Sequence, residues 1–171
     1  MSSEKNTDRL IEVYKLVYSA PRLPLLLTVI GYTSVAVVAA SFIAVAVRTF
    51  AADPTSGIEL LLAALIPFLL VSVMRCVINA KRPYELYDFS SFAGGAPKRK
   101  LGRSFPSRHV ASAFLIGVLL IPYSLPLAVL SLVLGAVLSV CRVLLGIHFI
   151  RDVVVGAVIG VISGVLGILI L

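Results

Sequence analysis

The chain has 171 residues, 60% of them apolar or aromatic and 13% charged, with a formal net charge of +7. Soluble domains carry about 45–50% apolar and about 25% charged residues, so this composition excludes a disordered chain, a nucleic-acid-binding tail and an ordinary soluble enzyme. It predicts one all-α, membrane-embedded domain, and the two cysteines, without paired spacing, give neither a disulfide framework nor a zinc site.

Residues 1–22 read as an amphipathic interfacial helix. Lys5, Asp8, Arg9, Glu12 and Lys15 share one helical face, and Leu10, Val13, Tyr14 and Val17 the other, with only Leu16 off the pattern. The mixture of acids and bases argues against a cleaved secretory leader. Residues 23–171 read as a transmembrane bundle. A span needs about 20 mostly apolar residues, and 23–47 and 58–80 qualify. The uncharged run from Val110 to Cys141 is too long for one crossing, and Pro122-Tyr123-Ser124-Leu125-Pro126 breaks it. Two spans follow, 108–123 and 126–146, and a fifth covers 152–171. Gly156, Gly160, Gly164 and Gly167 recur there at the spacing of close helix packing. The one long irregular segment, 81–107, holds Gly94-Gly95-Ala96-Pro97 and Lys98-Arg99-Lys100, and long loops in compact proteins tend to carry function.

A charge inside a span costs several kcal/mol. Taken singly, Arg75 or Arg142 is a snorkelling anchor. Taken with the topology, Arg75, Arg82, Ser107, His109, Arg142, His148 and Asp152 all fall at the same membrane face, from three separate chain segments. Arginines match phosphate oxygens with planar donor forks, and the start of the third span adds backbone N–H groups. Ser107 can donate a further hydrogen bond. Of two histidines, one can attack phosphorus while the other protonates the leaving oxygen. Asp152, four residues after His148, can bond one ring nitrogen. No carboxylate cluster suits magnesium, so neither a metal nor another cofactor is expected. Cys76 and Arg82 match the spacing of a cysteine-phosphatase loop, but Val77-Ile78-Asn79-Ala80-Lys81 lacks the glycine-rich nest that chemistry needs. Cys76 and Cys141 read as packing residues.

These residues resemble the three-part signature of the type 2 phosphatidic acid phosphatase family, which includes glucose-6-phosphatase and, more remotely, the vanadium haloperoxidases. The family's lysine, six residues, Arg-Pro is here Arg75, six residues, Arg82-Pro83. Its Pro-Ser-Gly-His is Pro106-Ser107-Arg108-His109. Its Ser-Arg, five residues, His, three residues, Asp is Cys141-Arg142 through His148 to Asp152. The resemblance implies a helical membrane bundle that hydrolyses a phosphomonoester on an anionic lipid. It implies that His148 is the nucleophile, Asp152 its orienting partner and His109 the general acid. Arg75, Arg82, Ser107, Arg108 and Arg142 would bind phosphate. Three departures, Arg75 for lysine, Arg108 for glycine and Cys141 for serine, remove no catalytic atom.

Fourteen of the fifteen Lys and Arg lie on the site's side of the membrane, and only Arg48 on the other. The positive-inside rule then places the N-terminus and site in the cytoplasm. That side suits phosphatidic acid, phosphatidylglycerol phosphate or a polyprenyl-phosphoryl sugar phosphate. An outward-facing site acting on undecaprenyl diphosphate, a lipid phosphotransferase and a non-catalytic scaffold are the alternatives.

Overall fold

The computed structural model describes residues 2–87 and 101–170, with side chains from Leu10 onward. The Gly94–Pro97 and Lys98–Lys100 stretches, and the side chains of Lys5, Asp8 and Arg9, lie outside what is described. The elements are α1 (Ser2–Ser19), α2 (Leu23–Ala52), α3 (Pro54–Ile78), the single turn α4 (Pro83–Leu86), α5 (Arg108–Leu119), α6 (Leu125–Leu144) and α7 (Ile150–Ile170). The protein is a multi-pass membrane bundle of α2, α3, α5, α6 and α7, with α1 laid against it. Four of these helices are long and apolar enough to cross a membrane.

Local chemistry moves several predicted boundaries. α2 runs on to Ala52 and takes Arg48 into the helix, rather than ending at 47. α3 begins at Pro54 rather than 58, because Asp53 caps it by accepting from the backbone N–H of Thr55 at 3.2 Å and Ser56 at 3.0 Å. It ends at Ile78, where Asn79 turns left-handed (φ 43). The hairpin between α2 and α3 is tight: a Cβ on Gly57 would sit 2.6 Å from the Phe50 backbone. The largest change is α5, whose 12 residues stop at Leu119 instead of 123. At 1.5 Å per residue it is about 18 Å long, well short of a bilayer's hydrocarbon thickness of about 30 Å. It therefore cannot cross a bilayer by itself, and the strap 101–107 leads into its N-terminus.

α5 and α7 make the most extensive pairing, and the predicted glycine stripe is its cause. A Cβ on Gly156 would lie 2.7 Å from the Ser107 carbonyl oxygen, and one on Gly164 2.6 Å from Val118 Cβ. Around this axis, Val38, Val110, Ala113, Leu138 and Val153 form one buried cluster, and Leu60, Leu115, Leu119, Leu120 and Ala128 anchor another.

α1 departs from a helix lying only on lipid. Tyr14 and Val17 are buried, and Leu16, the off-pattern residue, is 72% exposed. Val17 packs with Leu27, Cys141 and Leu145. The Tyr18 hydroxyl donates to the Leu145 carbonyl at 3.2 Å. The apolar face is thus docked on the bundle at the C-terminal end of α6, because that end presents its own apolar surface beside the site.

Candidate active site

Each predicted site residue sits at a helix end on the same side of the bundle. Arg75 is in the last turn of α3, and Arg82 precedes α4. Ser107 is the N-cap of α5, with Arg108 and His109 in its first turn. Arg142 is in the last turn of α6, where Gly146 (φ 64) reverses the chain and lets the Ile147 N–H bond the Arg142 carbonyl at 3.0 Å. That reversal delivers His148 in the turn before α7. The four-residue spacing predicts His148 and Asp152 on one helical face. In the structure only Asp152 is helical, in the first turn of α7, and its Oδ2 accepts from the Phe149 N–H at 3.0 Å as one half of a capping box.

Together these ends enclose a cavity of about 490 Å³. Arg75, Arg82, Arg108, Arg142 and His109 line it, with Tyr32 and Tyr84, and no acidic side chain is among its lining residues. Ser107, His148 and Asp152 are buried, at 0%, 2% and 0% exposure. The Ser107 N–H donates to the Asp152 carbonyl at 2.9 Å, so the start of α5 is tied to the first turn of α7.

The guanidinium groups do different things. Arg75 donates from Nη1 to the Pro106 carbonyl at 2.7 Å and to the Ser104 carbonyl at 3.4 Å, which fixes the strap leading into α5. Arg82 donates from Nε to Gly102 O at 2.9 Å and from Nη1 to Ile147 O at 3.4 Å, joining the strap to the His148 turn. Arg108 lies over the Phe68 ring at 5.0 Å and reaches the Ser72 hydroxyl on α3 at 3.3 Å. Arg142 lies over Tyr32 at 5.5 Å. Its Nε, and the Ser107 hydroxyl, are buried with no hydrogen-bond partner among the described residues. Buried polar atoms in native proteins are nearly always satisfied, so two orphans beside a cationic cavity are available to an acceptor such as an anion.

His148 Nδ1 faces Ser104 Oγ at 3.3 Å and Asp152 Oδ2 at 3.6 Å, which turns Nε2 the other way. Burial pushes this imidazole below its ordinary value, with Asp152 opposing the shift. Sequence reasoning missed two contributors. Ser104, fully buried, donates to Asp152 Oδ2. Glu85 accepts from the N–H of Arg82 at 3.0 Å and of Gly102 at 2.7 Å, stapling the strap to α4. Ser104 stands three residues before Ser107, but serine there has no local signature. Cys76 is exposed inside α3, which continues to Ile78, so no loop forms around it. Cys141 is buried in packing. Among the described residues no group of three or more His, Cys, Asp or Glu side chains assembles, and the gathered donors are cationic.

The sequence pattern of the PAP2 superfamily matches residues 56–171. The chain belongs to the PAP2 superfamily. Two solved structures share this PAP2 fold. LpxE of Aquifex aeolicus is 26% identical, with a TM-score of 0.67 over 92% of this chain and 93% of that one. A transmembrane PAP2-type phosphatidylglycerolphosphate phosphatase of Bacillus subtilis is 23% identical, with a TM-score of 0.72 over 99% of this chain and 86% of that one. No curated protein matches the chain. All eight candidate residues fall within the PAP2 match.

Proposed function

We propose that the protein is an integral-membrane lipid phosphate phosphatase that works without a metal, through a phosphohistidine. The observation that carries this reading is the pair of orphaned buried donors: Arg142 Nε on a cavity lined by arginines and His109, and Ser107 Oγ at the α5 N-cap next in sequence to the lining residues Arg108 and His109. The phosphate oxygens accept from Arg142, Ser107 and the first-turn amides of α5, with Arg75, Arg82 and Arg108 adding positive charge. His148 Nε2 attacks phosphorus and the P–O bond to the lipid alcohol breaks. His109 gives that oxygen its proton. Water then attacks the phosphohistidine, the P–N bond breaks, and His109 takes the proton from water.

Substrates of the expected class are phosphatidic acid, phosphatidylglycerol phosphate and polyprenyl-phosphoryl sugar phosphates. The one-sided distribution of Lys and Arg favours a cytoplasmic site. The test is a panel of lipid mono- and diphosphates offered to purified protein in chelator. Phosphate release without magnesium, inhibited by vanadate, is expected. Release only from diphosphates would move the reading to an undecaprenyl diphosphate-type activity, and full turnover by His148→Ala would end the phosphohistidine mechanism. Accessibility labelling of a cysteine placed at Gly95 reads the side of the membrane.

A further inference from the structure

We infer that Ser104 is a positioning residue of the reaction: its hydroxyl bridges His148 to Asp152 and fixes the imidazole with its proton on Nδ1. The inference rests on His148 being the nucleophile.

Four distances carry it. Asp152 Oδ2 is 3.6 Å from His148 Nδ1, beyond a normal hydrogen bond. Ser104 Oγ is 2.5 Å from that same carboxylate oxygen and 3.3 Å from His148 Nδ1. Oδ2 also accepts the Phe149 N–H at 3.0 Å, so its two lone pairs are already engaged by Ser104 and Phe149. The hydroxyl contacts both the carboxylate oxygen and the imidazole nitrogen, and lies closer to each than they lie to one another.

The chemistry of the groups sets the direction. An ionised carboxylate only accepts, so the single hydroxyl proton of Ser104 points at Asp152. The oxygen then has lone pairs left and no proton, and His148 can meet it favourably only by donating from Nδ1. A neutral imidazole protonated on Nδ1 has its lone pair on Nε2, the nitrogen turned away from Ser104, and that lone pair is what attacks phosphorus. When Nε2 bonds phosphorus the ring becomes cationic, and the same hydroxyl passes the influence of the Asp152 charge to it. An aspartate held directly by the histidine would need no intermediary, but the Asp152 carboxylate is also committed to capping α7, which sets its position.

Ser104 is built to hold this place. Its side chain is fully buried. Its N–H donates to the Ala80 carbonyl at 2.9 Å, and its carbonyl accepts from Arg75 Nη1 at 3.4 Å. Two residues upstream, Gly102 is held by Glu85 and Arg82. The backbone is thus fixed on both sides while the hydroxyl alone faces the histidine.

The test compares wild type, Ser104→Ala, Ser104→Thr and His148→Ala on one lipid monophosphate. Ser104→Ala is expected to lower kcat by roughly ten- to hundredfold, the scale known for loss of a hydrogen bond that orients a metal-ligating histidine, with KM within about twofold. The acid limb of its kcat/KM profile moves to lower pH, because imidazolium loses the influence of Asp152. Ser104→Thr, which keeps a hydroxyl, recovers part of kcat. Nitrogen-15 NMR of histidine in the wild-type protein in detergent should show His148 protonated on Nδ1. A wild-type His148 protonated on Nε2 overturns the inference without any variant having to fold. So does Ser104→Ala with kcat within twofold of wild type, or with its loss in KM alone. If His148→Ala keeps full turnover, the phosphohistidine reading itself falls. If His148→Ala is inactive and Ser104→Ala is not, only the role of Ser104 falls.

Discussion

The two ends of the bundle solve the same problem in opposite ways. Each must turn apolar helices around at a membrane surface and satisfy the freed backbone groups. At the end away from the cavity, α2 passes to α3 through Asp53 alone. That aspartate accepts from the Thr55 and Ser56 N–H groups and, at 2.6 Å, from the Ser56 hydroxyl. The turn there from α5 to α6 takes only Leu120 to Ser124, and the Ser124 N–H bonds the Leu120 carbonyl at 2.8 Å. At the other end a strap, a single-turn helix and a reversed chain carry arginines that tie backbone to backbone, and buried donors are left unused. A turn that only has to close is short and satisfied within itself. Polar cost beyond closure marks the end where chemistry is done.

Substitutions at the cavity end break this contrast most strongly. His148→Ala should lower kcat by about a thousandfold or more, the scale seen when a nucleophile is removed, measured as phosphate release in chelator. Arg142→Ala removes one of the orphaned donors and should cost about a hundred- to thousandfold in kcat/KM, as loss of a single group stabilising transition-state charge does. Arg142→Lys should recover little, since a lysine ammonium does not reproduce the planar fork. An Arg142→Ala enzyme within threefold of wild type would mean that the unpaired Nε is not waiting for phosphate.

Gly156→Ala probes the same end through packing. Its new Cβ would lie 2.7 Å from the Ser107 carbonyl oxygen, a backbone atom that cannot swing aside. Gly31→Ala, lining the same cavity, would meet Leu138 Cδ1 at 3.7 Å and Cys141 Cβ at 3.8 Å, ordinary contact distances. Gly156→Ala should therefore lose about tenfold in kcat and unfold earlier in detergent, within the 1–3 kcal/mol range for overpacking. Gly31→Ala should change neither. Equal effects at the two glycines would show that α7 does not set the position of Ser107.

Much of this arrangement was legible from side-chain chemistry because charges are scarce. Arg75, Arg82, Arg142, His148 and Asp152 stand out against apolar runs, and the span count places them on one face. The span edges were not legible, since apolar windows do not register Asp53 as a cap or Leu119 as an end. The docking of α1 was hidden because an apolar stripe reads the same whether lipid or protein covers it. Tyr14 and Val17 turn out to meet protein. Ser104 and Glu85 were missed because neither a serine in the strap nor a glutamate in a one-turn helix carries a local signature. Only the fold brings Ser104 within reach of Asp152, 48 positions away.

Acidity gives a smaller and graded effect. Burial lowers the His148 pKa in the folded protein, so between the folded and unfolded values the unfolded chain binds more protons. Stability from this group is complete above the unfolded value of about 6.5 and is lost as pH falls below it toward the folded value. Activity should follow with an acid limb below about pH 6.5, because a protonated His148 cannot attack. An acid limb above pH 7 that disappears in no histidine variant would assign it to another group.

Asp53→Ala should have the smallest effect that still registers, and its value lies in where the effect falls. The substitution removes the acceptor for two backbone N–H groups and one hydroxyl at the start of α3, while Pro54 still favours helix initiation there. The carboxylate is exposed to solvent, so water can replace it. A slight fall in Tm with kcat and KM unchanged is expected, because Asp53 and Arg75 lie near opposite ends of α3. If Asp53→Ala lowered kcat as much as Gly156→Ala does, the ends would be coupled through α3. The bundle would then be one cooperative frame, not a closed end carrying a reactive one.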